Sequence, residues 1–314
     1  MDGIINVIKP PGISSHQVVR YVRKLLNTRK VGHTGTLDPG AAGVLPICVG
    51  QATRIAQYLV EQDKVYIAEM TLGIATKSQD ASGETTEINM DFRISPDFLG
   101  RTLSSFLGQI EQIPPMSSAI RHDGQRLYEL ERQGITVERK PRKVIIKEMH
   151  INKIWPEKPF LAFGTQVLFS VRCSKGTYIR TLCHDVGRAL NTYAHMSYLV
   201  RTANGPFTIE DGITLEEFEQ SVNSSDYSFL KKIEEALPDF LRIQVSPLAE
   251  KRVLHGNPIL YQDLINPPQQ LAVGERVMLF STKNNLLAIA EIKSKDGIIC
   301  QPICVLGGKL TETQ

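Results

Sequence analysis

The chain is 314 residues long, 42% hydrophobic and 22% charged, with a formal net charge of +3. This balance excludes a mostly disordered, collagen-like or coiled-coil chain, and the length predicts about two domains. No apolar run approaches the roughly 18 residues that span a bilayer, and the opening residues carry no positively charged leader, so a cytoplasmic protein without membrane association is expected.

In chain order, residues 3–8 read as a buried strand, broken by the turn Lys9-Pro10-Pro11-Gly12. Ser14-Ser15-His16-Gln17 forms a Ser-x-x-Gln capping box. Val18, Val19, Val22, Leu25 and Leu26 follow at helical spacing, with Arg20, Arg23 and Lys24 off the stripe, which predicts an amphipathic helix with a basic face. Residues 31–46 read as a glycine-punctuated loop, 65–72 as an alternating strand, 73–86 as a polar loop, and 96–110 as a helix opened by Ser95-Pro96. Ile113-Pro114-Pro115-Met116 breaks that helix. The segment up to Pro141 is a long excursion with helical signal only around 127–132, the kind of segment that is usually functional or disordered. Residues 143–154 and 165–173 read as strands, and 177–190 as a helix entered through Lys175-Gly176. A Ser-rich linker, 221–228, precedes a short acidic helical piece ending at Leu237-Pro238. Short strands then follow at 241–246, 276–281, 286–292 and 298–306, with turn signals such as Lys283-Asn284-Asn285 and Asp296-Gly297 and one helix at 247–255 closed by Gly256. The economical reading is an α+β domain followed by a compact β-barrel-like module.

Charge is uneven along the chain. Residues 121–147 carry eight Lys/Arg against four Asp/Glu, whereas 216–239 carry two Lys against seven Asp/Glu. The basic segment suits a polyanion, and a solvated amphipathic surface is the other reading. The five cysteines form an odd, sparse set that reads as reduced thiols, and Cys300 and Cys304 lack the neighbours of a metal site.

Two segments are dense in chemistry. Residues 32–46, Gly-His-Thr-Gly-Thr-Leu-Asp-Pro-Gly-Ala-Ala-Gly-Val-Leu-Pro, place a single carboxylate, Asp38, among four glycines and two prolines. Such a loop lets a ligand backbone approach closely; Asp-Pro-Gly is also the composition of a plain turn. The Gly-Lys-Ser/Thr ending of a phosphate loop is missing. Residues 172–180, Arg-Cys-Ser-Lys-Gly-Thr-Tyr-Ile-Arg, join a strand end to a helix start, which makes an anion site lined by Arg172, Lys175 and Arg180 or a helix start with solvated cations.

In this order the motifs resemble those of the TruB-type tRNA pseudouridine synthases: Lys9-Pro10-Pro11-Gly12-Ile13-Ser14-Ser15; Gly32 to Pro39 with Gly43-Val44-Leu45-Pro46; Lys64-Val65-Tyr66; Pro114 to Ala119 through Arg126-Leu127-Tyr128-Glu129; and Arg172 to Arg180. The resemblance covers residues 3–305. It implies a catalytic domain at 1–238 with a mixed, largely antiparallel sheet and flanking helices, a thumb-like RNA-gripping insertion at about 113–143, and a PUA-like RNA-binding β-barrel at 239–314. The implied reaction is isomerisation of uridine 55 in the T loop of tRNA without a guide RNA, and a monomer is the default expectation. The product is an isomer of the substrate, so no cofactor is implied.

The resemblance also assigns roles. Asp38 is the nucleophile or the base on the ribose, paired with Arg180, because an isolated buried carboxylate would go neutral. Tyr66 stacks on the target base, and Tyr178 lines the same pocket. His33 fills the gap left by the flipped nucleotide, and Leu199 packs on the base. Lys9, Lys175, Arg20 and Arg126 are carried over as RNA or substrate contacts. The family usually has an acidic residue where this chain reads Thr76-Lys77-Ser78-Gln79, but Asp80 is retained as a site-organising residue. The competing readings are an RNA chaperone without chemistry, a guide-RNA-dependent relative, and a glycoside or nucleoside hydrolase, which would need a second carboxylate positioned as a catalytic pair or a metal cluster, neither of which the sequence singles out.

Overall fold

Every second residue from Lys64 to Leu72 is buried, the burial period of a strand with one face on a core. In the computed structural model, which describes residues 1–265, 271–295 and 298–307, this strand lies near the middle of a ten-stranded sheet. Along the sheet the order is Leu230–Lys231, Gly3–Lys9, Ala42–Val49, Ala194–Asn204, Lys64–Leu72, Gln166–Cys173, Arg142–Trp155 and Gly108–Gln112. Val31–His33 pairs with Ala42–Val49, and Phe207–Thr208 with Ala194–Asn204.

Every pairing in this sheet is antiparallel except one. Ala194–Asn204 runs parallel to Ala42–Val49, with Val200 opposite Ala42 and Arg201 opposite Gly43. At that junction Gly43 has φ +106, and an added Cβ would stand 2.2 Å from the Arg201 carbonyl oxygen. Only glycine lets the two backbones meet there. The junction also joins the two halves of the sheet, so the loop entering it, residues 34–41, lies over the sheet's centre.

Helices cover one face. Ser14 caps Ser15–Leu25 through the expected capping box, and Val18, Val19 and Val22 are buried in the main core. Ile179, Leu182, Cys183 and Val186 of Ile179–Ala189 and Leu99 and Leu103 of Pro96–Ser105 join that core. Each such side chain contributes about 1.5–3 kcal/mol when fully buried. The C-terminal part is a six-stranded, barrel-like sheet in which Leu241–Val245 runs parallel to Arg276–Phe280. The helix Pro247–Leu254 packs on it and ends before Gly256, which has φ +74. Among the described residues no helix is long and apolar enough to cross a membrane. All five cysteines are free and buried.

The α+β class with a mixed, largely antiparallel sheet is what the structure has. Several element expectations need correction. The loop expected at 31–46 is shorter, because Val31–His33 and Ala42–Val49 pair as strands from its two ends. The polar 73–86 segment is a hairpin of Ile74–Thr76 and Thr85–Ile88 whose second strand is fully exposed, so it lacks the alternation that marks a half-buried strand. The helix expected to reach 110 ends at Ser105, and Gly108–Gln112 turns into an edge strand. The start of the Ser-rich 221–228 stretch is still helical, in Leu215–Asn223, because Thr214 and Glu217 cap it well. The strand Ala194–Asn204 was not expected at all. The turn expected at Asp296-Gly297 lies outside the described residues.

Candidate active site

The loop after Val31–His33 is held by the residues that open the chain. The buried Ser15 hydroxyl accepts from the Leu37 N–H at 2.8 Å and donates to the Leu37 carbonyl at 3.0 Å. The Gly12 N–H donates to the Pro39 carbonyl at 2.8 Å. The Lys9 ammonium donates to the carbonyls of Ile13 at 2.7 Å, Pro10 at 2.9 Å and Pro39 at 3.2 Å. Asp38 therefore sits between two clamped neighbours. Its own carbonyl accepts from the Ala41 N–H at 3.0 Å, so the Asp-Pro-Gly turn forms as well. This arrangement explains why a Lys-Pro-Pro-Gly turn and a Ser-Ser helix start belong with a glycine loop some twenty residues later.

The Asp38 carboxylate faces Arg180. Arg180 Nη2 donates to Asp38 Oδ1 at 3.2 Å, while Nη1 stands 3.6 Å from Asp80 Oδ2. Arg180 is 5% exposed, whereas a third of the Asp38 side-chain surface stays open. Burial pushes the Asp38 carboxyl above the usual carboxylate range, and Arg180 pulls it back; Asp80 pushes it up and Lys9 lowers it. The net direction is upward, so the guanidinium is the main partner that favours the ionised form of this crowded, partly open carboxylate. Asp80 is a second carboxylate at this site. Its Oδ1 already accepts from Ser78 Oγ at 2.7 Å, Ser82 N–H at 2.9 Å and Ser82 Oγ at 2.6 Å, which leaves it an organising part rather than a free acid.

Tyr66 lies directly opposite Arg201 on the neighbouring strand, and Ala68 opposite Leu199. These four residues share one face of the sheet. Burial pushes the Tyr66 phenol above the ordinary tyrosine value and Arg201 draws it back down, so the phenol is protonated at neutral pH. Tyr178 caps the helix that carries Arg180, and the Arg180 guanidinium carbon lies 5.9 Å from its ring centre. His33 is half-buried, with Nδ1 accepting from the Gly35 N–H at 3.3 Å. Burial, Arg201 and His16 push the His33 imidazole below its ordinary value, so it is neutral at pH 7.

The structure thus brings Asp38, Asp80, Tyr178 and Arg180 together, with Tyr66 and Leu199 on the adjoining sheet face. It places other residues differently. Lys9 is 0% exposed and its ammonium is taken by carbonyls, so it staples the loop and offers no surface to RNA. Lys175 pairs with Glu61, and Arg172 with Asp63 and Glu148. The strand–helix junction therefore carries paired cations rather than an open anion site. Such exposed pairs are worth about 0–1 kcal/mol and yield readily to a phosphate. Arg20 and Lys24 are exposed on the first helix, whereas Arg23 turns inward to the Val31 carbonyl at 2.8 Å. Arg126 is exposed on the insertion and, with Arg132, flanks the Tyr128 ring.

Sequence reasoning missed Arg201, which is 1% exposed. It donates to the carbonyls of Val44 at 2.7 Å and Gly35 at 3.1 Å, tying both ends of the loop that carries Asp38 to the strand beside Tyr66. A charged residue directly after the apolar run Tyr198-Leu199-Val200 was the available signal.

Comparison with known proteins decides the family. The model for the N-terminal domain of TruB family pseudouridylate synthases matches residues 23–179, and that for the C-terminal domain of tRNA pseudouridylate synthase B matches 180–250. A protein of Alkaliphilus oremlandii (strain OhILAs) named tRNA pseudouridine synthase B is 46% identical, over 90% of this chain and 91% of the relative.

The chain belongs to the TruB family of pseudouridylate synthases.

A second TruB relative of the same name, from Pelotomaculum thermopropionicum (strain DSM 13744 / JCM 10971 / SI), is 41% identical over 98% of this chain and 97% of its own. Among solved structures, the TruB-type fold matches a chain of an H/ACA ribonucleoprotein bound to a substrate RNA containing 2′-deoxyuridine, with TM-score 0.73 and 26% identity over 98% of this chain and 85% of that chain.

Proposed function

We propose that the protein isomerises uridine 55 in the T loop of tRNA to pseudouridine, with Asp38 as the reacting carboxylate and without a guide RNA. The observation that carries this reading is the Asp38–Arg180 pair, 3.2 Å apart, in a clamped loop beside Tyr66. In the reaction the C1′–N1 bond breaks, the base turns, and C1′ joins C5. C5 gives up its proton, N1 gains one, and nothing is added or lost. Asp38 acts as nucleophile at C1′ or as base on the ribose; both roles need the carboxylate ionised, and Arg180 favours that state. In this reading Tyr66 stacks on the base and relays the proton from C5.

Uridine in a folded loop must leave its stack first, at a cost of a few kcal/mol. In this reading His33 fills the gap and Leu199 supports the flipped base. Arg20, Lys24, Arg126 and Lys175 meet phosphates, the insertion at 113–143 grips the T arm, and the 239–314 module acts as a PUA-like RNA-binding domain on a catalytic domain ending near 238. The protein works as a cytoplasmic monomer. The test is a purified T stem-loop transcript with no other RNA present. Pseudouridine mapped at the position equivalent to uridine 55 is the expected result. No product until a guide RNA is added would instead favour a guide-dependent enzyme, and free uracil a hydrolase.

A further inference from the structure

We propose that Ser117, at the root of the 113–143 insertion, is a positioning residue that sets Arg180 against Asp38. This rests on the reading of Asp38 as the reacting carboxylate.

The Asp38–Arg180 contact is single-ended, with one oxygen meeting one nitrogen at 3.2 Å. Arg180 Nε is buried and has no hydrogen-bond partner. The carboxylates alone therefore do not fix the guanidinium, which stands between Asp38 and Asp80 and has competing choices. Ser117 supplies the missing constraint. Its hydroxyl accepts from Arg180 Nη1 at 2.7 Å, and its carbonyl accepts from Nη2 at 3.3 Å. Both terminal nitrogens are thus held by one residue. The planar fork of Arg reads such a pair of acceptors directionally.

The neighbouring contacts point the same way. Gln112, 1% exposed at the base of the insertion, accepts from the Tyr178 N–H at 2.9 Å and donates to the Tyr178 carbonyl at 3.2 Å. This fixes the start of the helix that carries Arg180. On the other side, the Ser118 carbonyl accepts from the Tyr128 N–H at 3.1 Å, in the short helix Leu127–Arg132. Ser117 and Ser118 therefore lie between the exposed part of the insertion and the ion pair. A shift of the insertion on gripping RNA acts directly on the orientation of Arg180, and through it on the charge of Asp38. The insertion is then part of the catalytic apparatus as well as a grip.

The experiment follows single-turnover isomerisation of a T stem-loop RNA across pH for the wild type, Ser117→Ala, Ser117→Thr and Asp38→Asn, with RNA affinity and Tm measured for each. Ser117→Ala is expected to slow the step about tenfold or more at neutral pH, the effect of losing a hydrogen bond to a charged group. It is expected to move the acid limb to higher pH and to leave affinity and Tm unchanged. Ser117→Thr, which keeps the hydroxyl, restores the rate and the limb. Several results overturn the proposal: a wild-type rate in Ser117→Ala, a loss confined to affinity or Tm, a slower rate with an unmoved acid limb, or no rescue by Thr. Asp38→Asn separates the two levels. Turnover in that variant defeats the underlying reading, whereas an inactive Asp38→Asn beside a wild-type-like Ser117→Ala defeats only the role of Ser117.

Discussion

Asp38 is held by one kind of interaction and tuned by another. Hydrogen bonds from Ser15, Gly12 and Lys9 to the backbone fix where the loop lies, while burial and Arg180 act in opposite directions on the charge of the carboxyl. The sign of the pH dependence follows. Burial raises the Asp38 pKa and Arg180 lowers it, so removing the guanidinium raises it further. In the proposed reaction Asp38 acts in its ionised form, so activity is expected to fall as pH falls through that pKa. Arg180→Met is therefore expected to shift the acid limb of the rate profile to higher pH. At neutral pH it slows the reaction about thirtyfold, taking about 2 kcal/mol for a charge-assisted hydrogen bond. Rates measured from acid to neutral pH on one RNA check this, and an unmoved limb contradicts it. At this scale the pairing of Asp38 with Arg180 was legible because each stands in one of the two dense motifs, whereas Tyr66 was singled out only by the resemblance. Arg201 was not, because its role depends on facing Gly43 and Tyr66 across strands distant in sequence. Lys9, carried over as an RNA or substrate contact, is instead buried, because its ammonium is taken by carbonyls of Pro10, Ile13 and the distant Pro39.

The first helix shows what a periodic pattern can and cannot convey. Its capping box and valine stripe specify where it starts and which face is buried. They also leave Arg20 and Lys24 outward, but the pattern could not tell that Arg23 bends back to the Val31 carbonyl. If Arg20 and Lys24 each meet a phosphate, the Arg20→Ala, Lys24→Ala double variant lowers the slope of log affinity against log salt by about 2. Isomerisation at saturating RNA is unchanged. Titrations at several salt concentrations check this, and an unaltered slope removes the helix from the RNA contact. The strand Ala194–Asn204 escaped the sequence because bulges on both sides of Leu199–Arg201 interrupt its alternation and its tight pairing with Ala42–Val49 needs a glycine on the partner. The hairpin after residue 73 left no pattern because its first strand is only three residues long and its second is fully exposed.

Across the whole molecule, the change of pattern after Pro238 marks where the large sheet ends and the barrel-like sheet begins, but it hides how closely the two are joined. Ile4, Cys48, Ile55, Tyr58 and Leu59 share one apolar cluster with Met278, Phe280, Ile289, Cys304 and Leu306. Arg276 lies over the Tyr58 ring at 5.1 Å, and Arg54 donates to the Val305 carbonyl. A core that uses both ends of the chain cannot be read from either end alone. Calorimetry on the full chain is expected to give one unfolding transition, and a chain ending at residue 238 is expected to lose several kcal/mol through exposure of its half of the cluster. Two separate transitions would show that the halves are independent.

The clearest test of the chemistry is tritium release from 5-tritiated uridine in tRNA by Asp38→Asn, with binding of the same RNA measured in parallel. The account predicts that release falls to background while the RNA is still bound. Release at the wild-type rate would mean that the carboxylate facing Arg180 is not the group that reacts.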